Sequence, residues 1–330
     1  MFEEILKKEP TYRLKQVKRA VFQDLIKSWD EATALPKGLR EKLSQGYPIP
    51  ELKVEKTLTS RDRQTIKILF KLEDDFKIES VLMQHLDGRR TVCVSSQVGC
   101  AMNCQFCATG QQGFKRNLSN LEIISQVLFF ARLLKKPQKI TNLVFMGMGE
   151  PLLNYAQVLK AIRILNDKDG LNLGARHISI STAGIIEKIK ILKEEKLQIN
   201  LAISLHAPNN QLRERLMPTN IKYSIEKILG AVDDYIETTK RRVMFEYLMI
   251  AGINDSPEQA KELTRLMKKP LYFVNLISFN PIGHFEFKPS PSWKIKKFKE
   301  ILQKAGVVTT QRHRFGQEIQ AACGQLIGQD

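Results

Sequence analysis

The sequence predicts an α/β protein built around an incomplete, six-unit β/α barrel that is open on one side. From Thr91 onward, short apolar stretches alternate with longer amphipathic ones, which is typical of parallel strands joined by right-handed helical crossovers. Six such units fit between residues 91 and 304, whereas a closed eightfold barrel needs about 250 residues. The motifs that could carry chemistry also fall directly after predicted strands, where folds of this kind place their sites.

The predicted elements run from an N-terminal helical unit, through a β region and the barrel, to a C-terminal segment. Residues 1–50 are expected to form a small helical accessory domain, because residues 12–29 have helical spacing and three prolines interrupt residues 36–50. Residues 51–90 are expected to form an extended β linker region, with apolar alternation over 65–70. The barrel strands are predicted at 91–95, 142–146, 177–181, 199–204, 243–249 and 272–278, with helices near 120–135, 155–166, 185–195, 224–238, 257–268 and 293–304. Residues 305–330 are expected to form the C-terminal segment.

Two of the predicted helices have recognisable start signals. Ser119 followed by Glu122 has the spacing of a capping box before the first helix. Ser256 is followed by Pro257, and proline is favoured in the first turn of a helix. These signals place both helix starts within about two residues.

The charge balance is the most informative feature of the composition. Lysine and arginine number 52 against 35 aspartate and glutamate, which gives a formal net charge of +17. Such an excess attracts polyanions, so RNA or DNA is the expected partner, and an anionic membrane is the less favoured one. Each single basic run, such as 240–242, the pair Arg213 and Arg215, or the lysines of 294–299, is also compatible with a solvated helix face.

The sequence lacks the features of a membrane or secreted protein. No apolar run approaches the roughly 20 residues that a spanning helix needs. Residues 1–4 lack the basic flank and apolar stretch that open a secretory signal. The expected location is the cytoplasm, with no membrane partner.

Three of the five cysteines define a candidate metal centre. Cys100, Cys104 and Cys107 have C-x3-C-x2-C spacing after the first predicted barrel strand, while Cys93 and Cys323 lie apart. An odd number of cysteines with such clustering is a poor disulfide framework. Three thiolates can bind three irons of a [4Fe–4S] cluster and leave the fourth iron open to another ligand. The alternatives are a zinc site, with Cys93 or Cys323 as the fourth ligand, and buried cysteines without a metal.

These cysteines stand in motifs that resemble the radical S-adenosylmethionine (SAM) superfamily and, within it, the bacterial dual-specificity rRNA/tRNA adenine-C2 methyltransferases. The motifs are TVCVSSQVGC (91–100), FCATG (106–110), GFKRNLS (113–119), FMGMGEPLLN (145–154), ISLHAP (203–208) and AACGQL (321–326). The resemblance extends from about residue 79 to the C-terminus. It implies an incomplete (β/α)6 radical SAM barrel, in which SAM binds the open iron and is cleaved to a 5′-deoxyadenosyl radical.

The resemblance also assigns a set of residues to SAM. Gly149 and Glu150 are expected to hold its amino group, because glycine allows close backbone approach and a carboxylate accepts hydrogen bonds from an ammonium. The other implied contacts are Ser181, Ser204, Leu205, His206 and Asn280. Without the resemblance, these residues are equally compatible with ordinary positions in turns and loops.

The resemblance also implies that the two remaining cysteines take part in methyl transfer. Adenine C2 and C8 are electron-poor, so an ordinary polar methyl transfer from SAM does not suit them. By resemblance, Cys323 accepts a methyl from one SAM, as an S-methylcysteine intermediate, and a second SAM turns that methyl into a radical that adds to adenine. A thiolate is nucleophilic enough for the first step. Glu79 is the implied proton acceptor, and Cys93 the implied resolving thiol that forms a transient disulfide with Cys323.

Each of these three roles has a simpler alternative. Cys93 is compatible with a small core residue and Glu79 with a surface charge. Residues 321–324 around Cys323 are compatible with a small-residue turn near a flexible terminus, although a glycine-flanked, flexible tail is also what a methyl-carrying arm would need.

The resemblance implies 23S rRNA and tRNA as partners, with the target adenosine unstacked to enter the barrel. The helical N-terminal domain is expected to help bind RNA. An electron donor such as flavodoxin or ferredoxin is expected to reduce the cluster, and a monomer is the default oligomeric state.

Two alternative functions stay open. A sister subfamily that methylates C8 of the same rRNA adenosine, and so confers antibiotic resistance, shares the cluster and both extra cysteines, although residues 92–100 and 108–114 favour C2. The other is a non-enzymatic RNA-binding protein with a structural zinc.

Overall fold

The structure, a computed structural model, describes residues 5–49, 51–218, 222–282 and 287–328. Residues 1–4, on which the expected lack of a signal rests, lie outside this part of the chain. So do residue 50, the expected end of the accessory domain, and the last two residues of the C-terminal segment.

The described strands and helices alternate along most of the chain. The strands are β1 (Lys53–Thr59), β2 (Thr65–Lys71), β3 (Lys77–Gln84), β4 (Arg90–Cys93), β5 (Gln97–Gly99), β6 (Phe114–Asn117), β7 (Asn142–Phe145), β8 (Ile178–Thr182), β9 (Asn200–Ser204), β10 (Val243–Met249), β11 (Tyr272–Ser278) and β12 (Thr309–Gln311). The helices are α1 (Thr11–Phe22), α2 (Lys37–Gly46), α3 (Ala108–Gln111), α4 (Asn120–Leu133), α5 (Tyr155–Asn166), α6 (Ile186–Leu192), α7 (Asn210–Leu216), α8 (Ile225–Thr239), α9 (Pro257–Leu266) and α10 (Ser292–Lys304). Short 3₁₀ turns occupy Ile5–Lys8, Trp29–Glu31, Pro151–Asn154, Ala175–His177 and Gln317–Ile319.

One mixed sheet of ten strands runs through the fold in the order β1-β2-β3-β4-β7-β8-β9-β10-β11-β12. β1 to β4 pair antiparallel. From β4 onward every neighbouring pair in this order is parallel. Within the described residues nothing pairs β1 with β12, so the parallel part is an open barrel. The six predicted barrel strands are β4 and β7 to β11, which confirms the predicted α/β fold class.

The sheet is larger than the sequence pattern indicated. β1, β2 and β3, in the region expected to be a linker, continue the barrel sheet through the pairing of Val81 with Cys93. β12 adds a further parallel strand beside β11. With three residues, β12 is too short to show the alternation by which strands are recognised in sequence.

The first helix is shorter than predicted. α1 ends at Phe22 instead of residue 29, because Leu25 has a φ of +57°, a left-handed conformation that a helix cannot continue. Trp29 lies in a separate turn, where its indole N–H donates to the carbonyl oxygen of Tyr47 at 2.8 Å. The apolar residues after Phe22 therefore pack from a loop and not from a helix face.

The predicted helix starts are confirmed. Ser119 accepts a hydrogen bond from the backbone of Glu122, whose carboxylate accepts one in return, and Ser256 and Gln259 do the same before α9. The strands between these helices are buried, with Ile203, Phe245 and Leu276 fully removed from solvent in the core. Among the described helices, none has the length and apolar character needed to cross a bilayer.

Candidate active site

The carboxyl ends of the parallel strands surround an open cavity. Its empty space, including the part open to solvent, is about 840 Å³. The lining includes nine of the residues singled out in the sequence: Cys100, Cys104, Cys107, Gly149, Glu150, Ser181, Ser204, His206 and Cys323. The other four, Glu79, Cys93, Leu205 and Asn280, are not part of this lining.

The hairpin of β5 and β6 carries the cysteine loop. The N–H of Cys100 donates to the carbonyl oxygen of Gly113 at 3.1 Å, next to the bulge in this hairpin. Gly99 has a φ of +68°, and a Cβ there would lie 1.8 Å from that oxygen, so the position requires glycine. At the other end of the loop, the N–H of Cys107 donates to the carbonyl oxygen of Cys104 at 3.1 Å and α3 begins.

The three loop thiols are buried, and burial raises the pKa of each. Burial raises the pKa of Cys100 to about 12 and the pKa of Cys104 well above its usual value, and the nearby Cys107 and Cys100 add to the rise at Cys104. Such thiols lose their protons when metal binding replaces them. Across the described ranges, no three His, Cys, Asp or Glu side chains are placed to hold one metal ion together. Three cysteines along one cavity wall fit separate irons of a cluster better than they fit a closed zinc site.

The Gly149–Glu150 turn follows β7. Gly149 has a φ of +98°, and a Cβ there would lie 2.5 Å from the Cβ of Gln97. The Oε1 and Oε2 atoms of Glu150 accept hydrogen bonds from the N–H groups of Leu152, at 2.9 Å, and Ala183, at 2.7 Å. Burial nevertheless raises the pKa of Glu150 to about 7. A buried carboxylate of this kind is stabilised by a cation, which suits the ammonium group of SAM.

Two serines and a histidine form the next part of the wall. The hydroxyl oxygens of Ser181 and Ser204 lie 3.3 Å apart at the ends of β8 and β9. Nδ1 of His206 accepts from the N–H of Leu248 at 3.1 Å, and burial lowers the pKa of this histidine to about 3. The ring is therefore neutral and carries its proton on Nε2. Phe106 packs against it edge-on, with ring centroids 4.8 Å apart.

Leu205 and Asn280 sit behind the cavity surface. The side chain of Leu205 is fully buried, and its N–H donates to the carbonyl oxygen of Glu246 at 3.1 Å. Nδ2 of Asn280 donates to the carbonyl oxygen of Cys323 at 3.2 Å, and its Oδ1 accepts from Gln317 at 2.8 Å. In this conformation Asn280 therefore holds the C-terminal segment.

Cys93 lies close enough to Cys323 for their charges to interact. Cys93 ends β4, and burial, followed by the neighbouring Cys323, raises its pKa to about 12. Both thiols are free. The fold thus brings together two cysteines that are 230 positions apart in the sequence.

The segment around Cys323 is docked on the cysteine loop in this structure. The docking bonds run from Ala108 N to Gly324 O at 2.8 Å, from Thr109 Oγ1 to Leu326 O at 2.5 Å, and from Gln112 Nε2 to Ile327 O. Glycines and small residues favour conformational freedom of such a segment when its backbone is considered alone. Here the backbone carbonyl oxygens of the segment accept hydrogen bonds from the cysteine loop and α3, and these bonds hold the segment in this conformation.

Glu79 is buried in β3, which rules out the alternative of a surface charge. Its Oε1 pairs with Nζ of Lys67 at 2.7 Å, and both side chains are almost fully buried. Its Oε2 accepts from the N–H of Ile327 at 2.7 Å, and its backbone oxygen accepts from Ser95 at 2.6 Å. The carboxylate therefore lies directly beside the C-terminal segment.

Three charged residues of this region were not predicted to be site residues from the sequence. Arg312 donates to Sγ of Cys323 at 3.2 Å and to Oε1 of Glu246 at 2.9 Å. Arg213, thought compatible with a solvated helix face, is only 2% exposed and donates to the carbonyl oxygen of Ala183 at 2.6 Å. Glu246 could have been noticed, because it is the one charged residue in the otherwise apolar stretch VMFEYLM of 243–249. The pair Arg213 and Arg215 was noted only as a basic run, and Arg312 stands in the mixed stretch QRHR of 311–314.

Comparisons with known proteins agree with this geometry. The profile of the Radical SAM superfamily matches residues 94–266. A "Probable dual-specificity RNA methyltransferase RlmN" of Dictyoglomus thermophilum is 47% identical over 319 residues, covering 96% of this chain and 91% of that protein. The "Ribosomal RNA large subunit methyltransferase N" of Nitrosopumilus maritimus is 47% identical over 323 residues, covering 96% and 92%.

A solved structure gives the same result. The crystal structure of a radical SAM methyltransferase from Sphaerobacter thermophilus superposes with a TM-score of 0.95 at 43% identity, covering 99% of this chain and 96% of that one. Fold, cysteine loop and sequence thus agree over nearly the whole chain. The chain belongs to the radical SAM superfamily and, within it, to the RlmN family of RNA methyltransferases.

Proposed function

We propose that this RNA methyltransferase adds a methyl group to C2 of a specific adenosine in 23S rRNA and of the adenosine beside the anticodon in some tRNAs. The observation that carries the proposal is one cavity that gathers three cluster cysteines, the Gly149–Glu150 turn and Cys323. The names of the relatives, a dual-specificity RNA methyltransferase and a large-subunit rRNA methyltransferase, support two kinds of RNA substrate.

The radical SAM family uses a [4Fe–4S] cluster and SAM. When bound, these groups supply a carbon radical that can abstract hydrogen from an unactivated methyl group. We assign the cluster to Cys100, Cys104 and Cys107, and SAM to Gly149, Glu150, Ser181, Ser204, Leu205, His206 and Asn280. Two SAM molecules per turnover, one as methyl donor and one as radical source, are part of this proposal.

The remaining three residues handle the methyl group and the ring proton. Cys323 takes the methyl group on its sulfur, and Glu79 accepts the proton that leaves C2. Cys93 then attacks the sulfur of Cys323, which forms the transient disulfide and frees the methylated base. Two observations support this division: Cys93 and Cys323 are neighbours, and the Glu79 carboxylate contacts the Cys323 segment. Because that contact occupies Oε2 of Glu79, the segment must shift before this atom can take a proton.

The partners and the organisation of the chain complete the proposal. The RNA substrates would bind partly through the helical domain of residues 1–50. Residues 51–90 would carry Glu79, residues 91–304 the barrel, and residues 305–330 the methyl-accepting cysteine. We propose a cytoplasmic monomer that receives electrons from a small carrier such as flavodoxin or ferredoxin.

Analysis of the modified nucleoside tests the position of methylation. Cluster-loaded protein is incubated with SAM, a reductant and unmodified RNA, and the digested nucleosides are compared by mass spectrometry with 2-methyl- and 8-methyladenosine standards. We expect 2-methyladenosine from both 23S rRNA fragments and tRNA. If 8-methyladenosine were the only product, the chain would belong with the C8-specific enzymes instead.

A further inference from the structure

Arg312 makes direct contact with the sulfur that is proposed to accept the methyl group. Its Nη1 lies 3.2 Å from Sγ of Cys323, and its Nη2 donates to Glu246 at 2.9 Å and contacts Sδ of Met146 at 3.2 Å. Arg312, Glu246, Met146 and Cys323 all line the cavity. The guanidinium is therefore a cation placed at a reacting atom inside the cavity.

A chain of hydrogen bonds across three strands fixes the direction of this guanidinium. Oε2 of Glu246, in β10, accepts from Nδ2 of Asn275, in β11, at 2.9 Å. Oδ1 of Asn275 accepts from the hydroxyl of Thr310, in β12, at 2.9 Å. The backbone N–H of Arg312 donates to the carbonyl oxygen of Leu276 at 2.9 Å. The backbone N–H and Nη2 of Arg312 are thus both hydrogen-bonded to the sheet, and Nη1 points at the sulfur.

The electrostatics of this group favour a negative charge on the sulfur. Burial alone would lower the pKa of Arg312, but Glu246 and Cys323 raise it above its usual value, so the guanidinium stays charged. Glu246 is 2% exposed; its Oε1 accepts from Arg312, its Oε2 accepts from Nδ2 of Asn275, and Nη1 of Arg312 is left to donate to the sulfur. A thiolate at Cys323 would receive a charge-assisted hydrogen bond from Nη1, and such bonds are stronger than neutral ones.

We propose that Arg312 is a further functional residue of the methyl-accepting step: it orients Sγ of Cys323 and stabilises it as a thiolate. This inference rests on the proposed role of Cys323. The thiol proton first leaves to solvent through the cavity mouth. The sulfur lone pair then forms a bond to the methyl carbon of SAM, the bond from that carbon to the sulfonium breaks, and its electron pair neutralises the sulfonium sulfur.

The same contact explains how the methylated segment is released. A thioether carries no charge, so methylation removes the charge-assisted part of the bond to Arg312. Glu246 keeps the guanidinium in place, while the hydrogen bond from Arg312 to the sulfur of Cys323 becomes weaker. The remaining ties of the segment are hydrogen bonds of its backbone, such as those from Asn280 to the carbonyl oxygen of Cys323 and from the N–H of Ile327 to the Glu79 carboxylate, and none of them involves the sulfur. Methyl transfer to Cys323 therefore favours the movement that Glu79 needs in order to become available.

Alkylation of Cys323 tests this inference without requiring RNA methylation. Cluster-loaded protein without SAM is treated anaerobically with iodoacetamide at neutral pH, and the labelled Cys323 peptide is followed by mass spectrometry, which also shows how much Cys323 is already methylated. The variants are Arg312→Gln, Arg312→Lys and, as a matched control, Arg314→Gln, which changes an exposed neighbouring arginine. Iron content shows whether each variant is folded and loaded.

We expect Arg312→Gln to slow alkylation about tenfold, because the charge-assisted hydrogen bond to the sulfur is lost. Arg312→Lys, which keeps the charge but not the planar geometry, should restore part of the rate, and so should added methylguanidinium with Arg312→Gln. Arg314→Gln should behave as wild type. Normal alkylation of Arg312→Gln with a full cluster would overturn the inference, and so would a loss that neither lysine nor methylguanidinium restores.

A second measurement on the same samples separates this inference from the proposed function. Wild-type protein is incubated with methyl-labelled SAM, and the Cys323 peptide is examined for the added methyl group. Slow alkylation of Arg312→Gln with no methylation of wild-type Cys323 would refute the function and support the arginine contact. Methylated Cys323 with equal alkylation rates would refute the arginine contact and support the function.

Discussion

Cys323 and Cys93 differ in how freely their sulfurs can react. Cys323 lines the cavity beside Arg312, whereas Cys93 is buried behind it with its pKa raised to about 12. A thiol that holds its proton at neutral pH is a poor first nucleophile but can act once the partner sulfur has been modified. Replacing each cysteine should therefore stop the reaction at a different step.

Cys323→Ala is expected to abolish methyl transfer to RNA while leaving the cluster in place. The substitution removes the acceptor sulfur but none of the three cluster cysteines. Iron analysis should still give about four irons per chain, and radiolabelled SAM should transfer no methyl to RNA. Methylated RNA from this variant would show that the methyl group does not pass through Cys323.

Cys93→Ala is expected to stop the reaction one step later. Without the resolving thiol, the bond from Cys323 through the methyl carbon to the base persists, so protein should accumulate covalently attached to RNA. Denaturing gel electrophoresis of labelled RNA measures this adduct, and ribonuclease digestion should remove it. Release of free product at the wild-type rate would refute the role of Cys93.

Glu150 should make the stability of the cofactor-free protein depend on pH. Burial raises its pKa from 4.5 to about 7 in the folded state. Between these values the folded protein holds a proton that the unfolded chain has lost, so the contribution of Glu150 to stability is fully present below pH 4.5 and is lost as the pH rises to about 7. The loss is about 3 kcal/mol, at 1.36 kcal/mol for each pKa unit.

Denaturant unfolding of the cofactor-free protein between about pH 5 and 8 measures this effect. Glu150→Gln should flatten the profile, whereas Glu237→Gln, at an exposed position on α8, should leave it unchanged. Parallel profiles for the wild type and Glu150→Gln would show that Glu150 is not the group that titrates.

At the scale of residues, the sequence predicted those site positions that lie in short, unbroken motifs. The cysteine loop and the Gly149–Glu150 turn are local, so their spacing already specifies which atoms come together. Arg312 and Arg213 could not be found in this way, because the partner of a basic side chain depends on strands that are distant in sequence. Their neighbours Cys323 and Ala183 lie 11 and 30 positions away.

The docked C-terminal segment is the element whose motion the proposed mechanism requires. Thr109→Val removes the hydroxyl that donates to the carbonyl oxygen of Leu326 and preserves the shape of the side chain. One lost hydrogen bond contributes about 1 kcal/mol, so amides of residues 324–327 should exchange with deuterium roughly fivefold faster. Hydrogen-exchange mass spectrometry measures this difference.

The control for this variant is Thr238→Val, which removes an exposed hydroxyl on α8 by the same substitution. Thr238 donates to the carbonyl oxygen of Asp234, within the same helix. It should leave the exchange of residues 324–327 unchanged. Equal exchange in the wild type and Thr109→Val would mean that the loop does not hold the segment.

At the scale of elements, long periodic stretches were predictable and short ones were not. The strands β7 to β11 and helices such as α8 have enough residues for their hydrophobic pattern to be recognised. The hairpin of β5 and β6 and the strand β12 have three or four residues each, so they exist only because neighbouring strands supply their hydrogen bonds. α1 ends early because Leu25 has a left-handed backbone conformation. The helix end could not be predicted, because Leu25 is neither a proline nor a glycine.

The charge of the whole molecule predicts how RNA binding responds to salt. With a formal net charge of +17, the protein should form several contacts to phosphates and release counterions when it binds RNA. About four such contacts would weaken binding roughly a hundredfold between 50 and 200 mM monovalent salt. Fluorescence anisotropy of labelled tRNA measures the slope, with SAM binding as the control that should change much less. If the affinity for tRNA did not change with salt, the excess of basic residues would not contact the RNA.

The passage of the methyl group through Cys323 is the central claim, and isotope transfer tests it most directly. Cluster-loaded protein is first incubated with SAM carrying a CD3 group, freed of small molecules, and then mixed with RNA, a reductant and unlabelled SAM for a single turnover. The account predicts that the first 2-methyladenosine formed carries deuterium from the methyl group already on Cys323. Unlabelled 2-methyladenosine in that first turnover, with deuterated methyl still on Cys323, would contradict it.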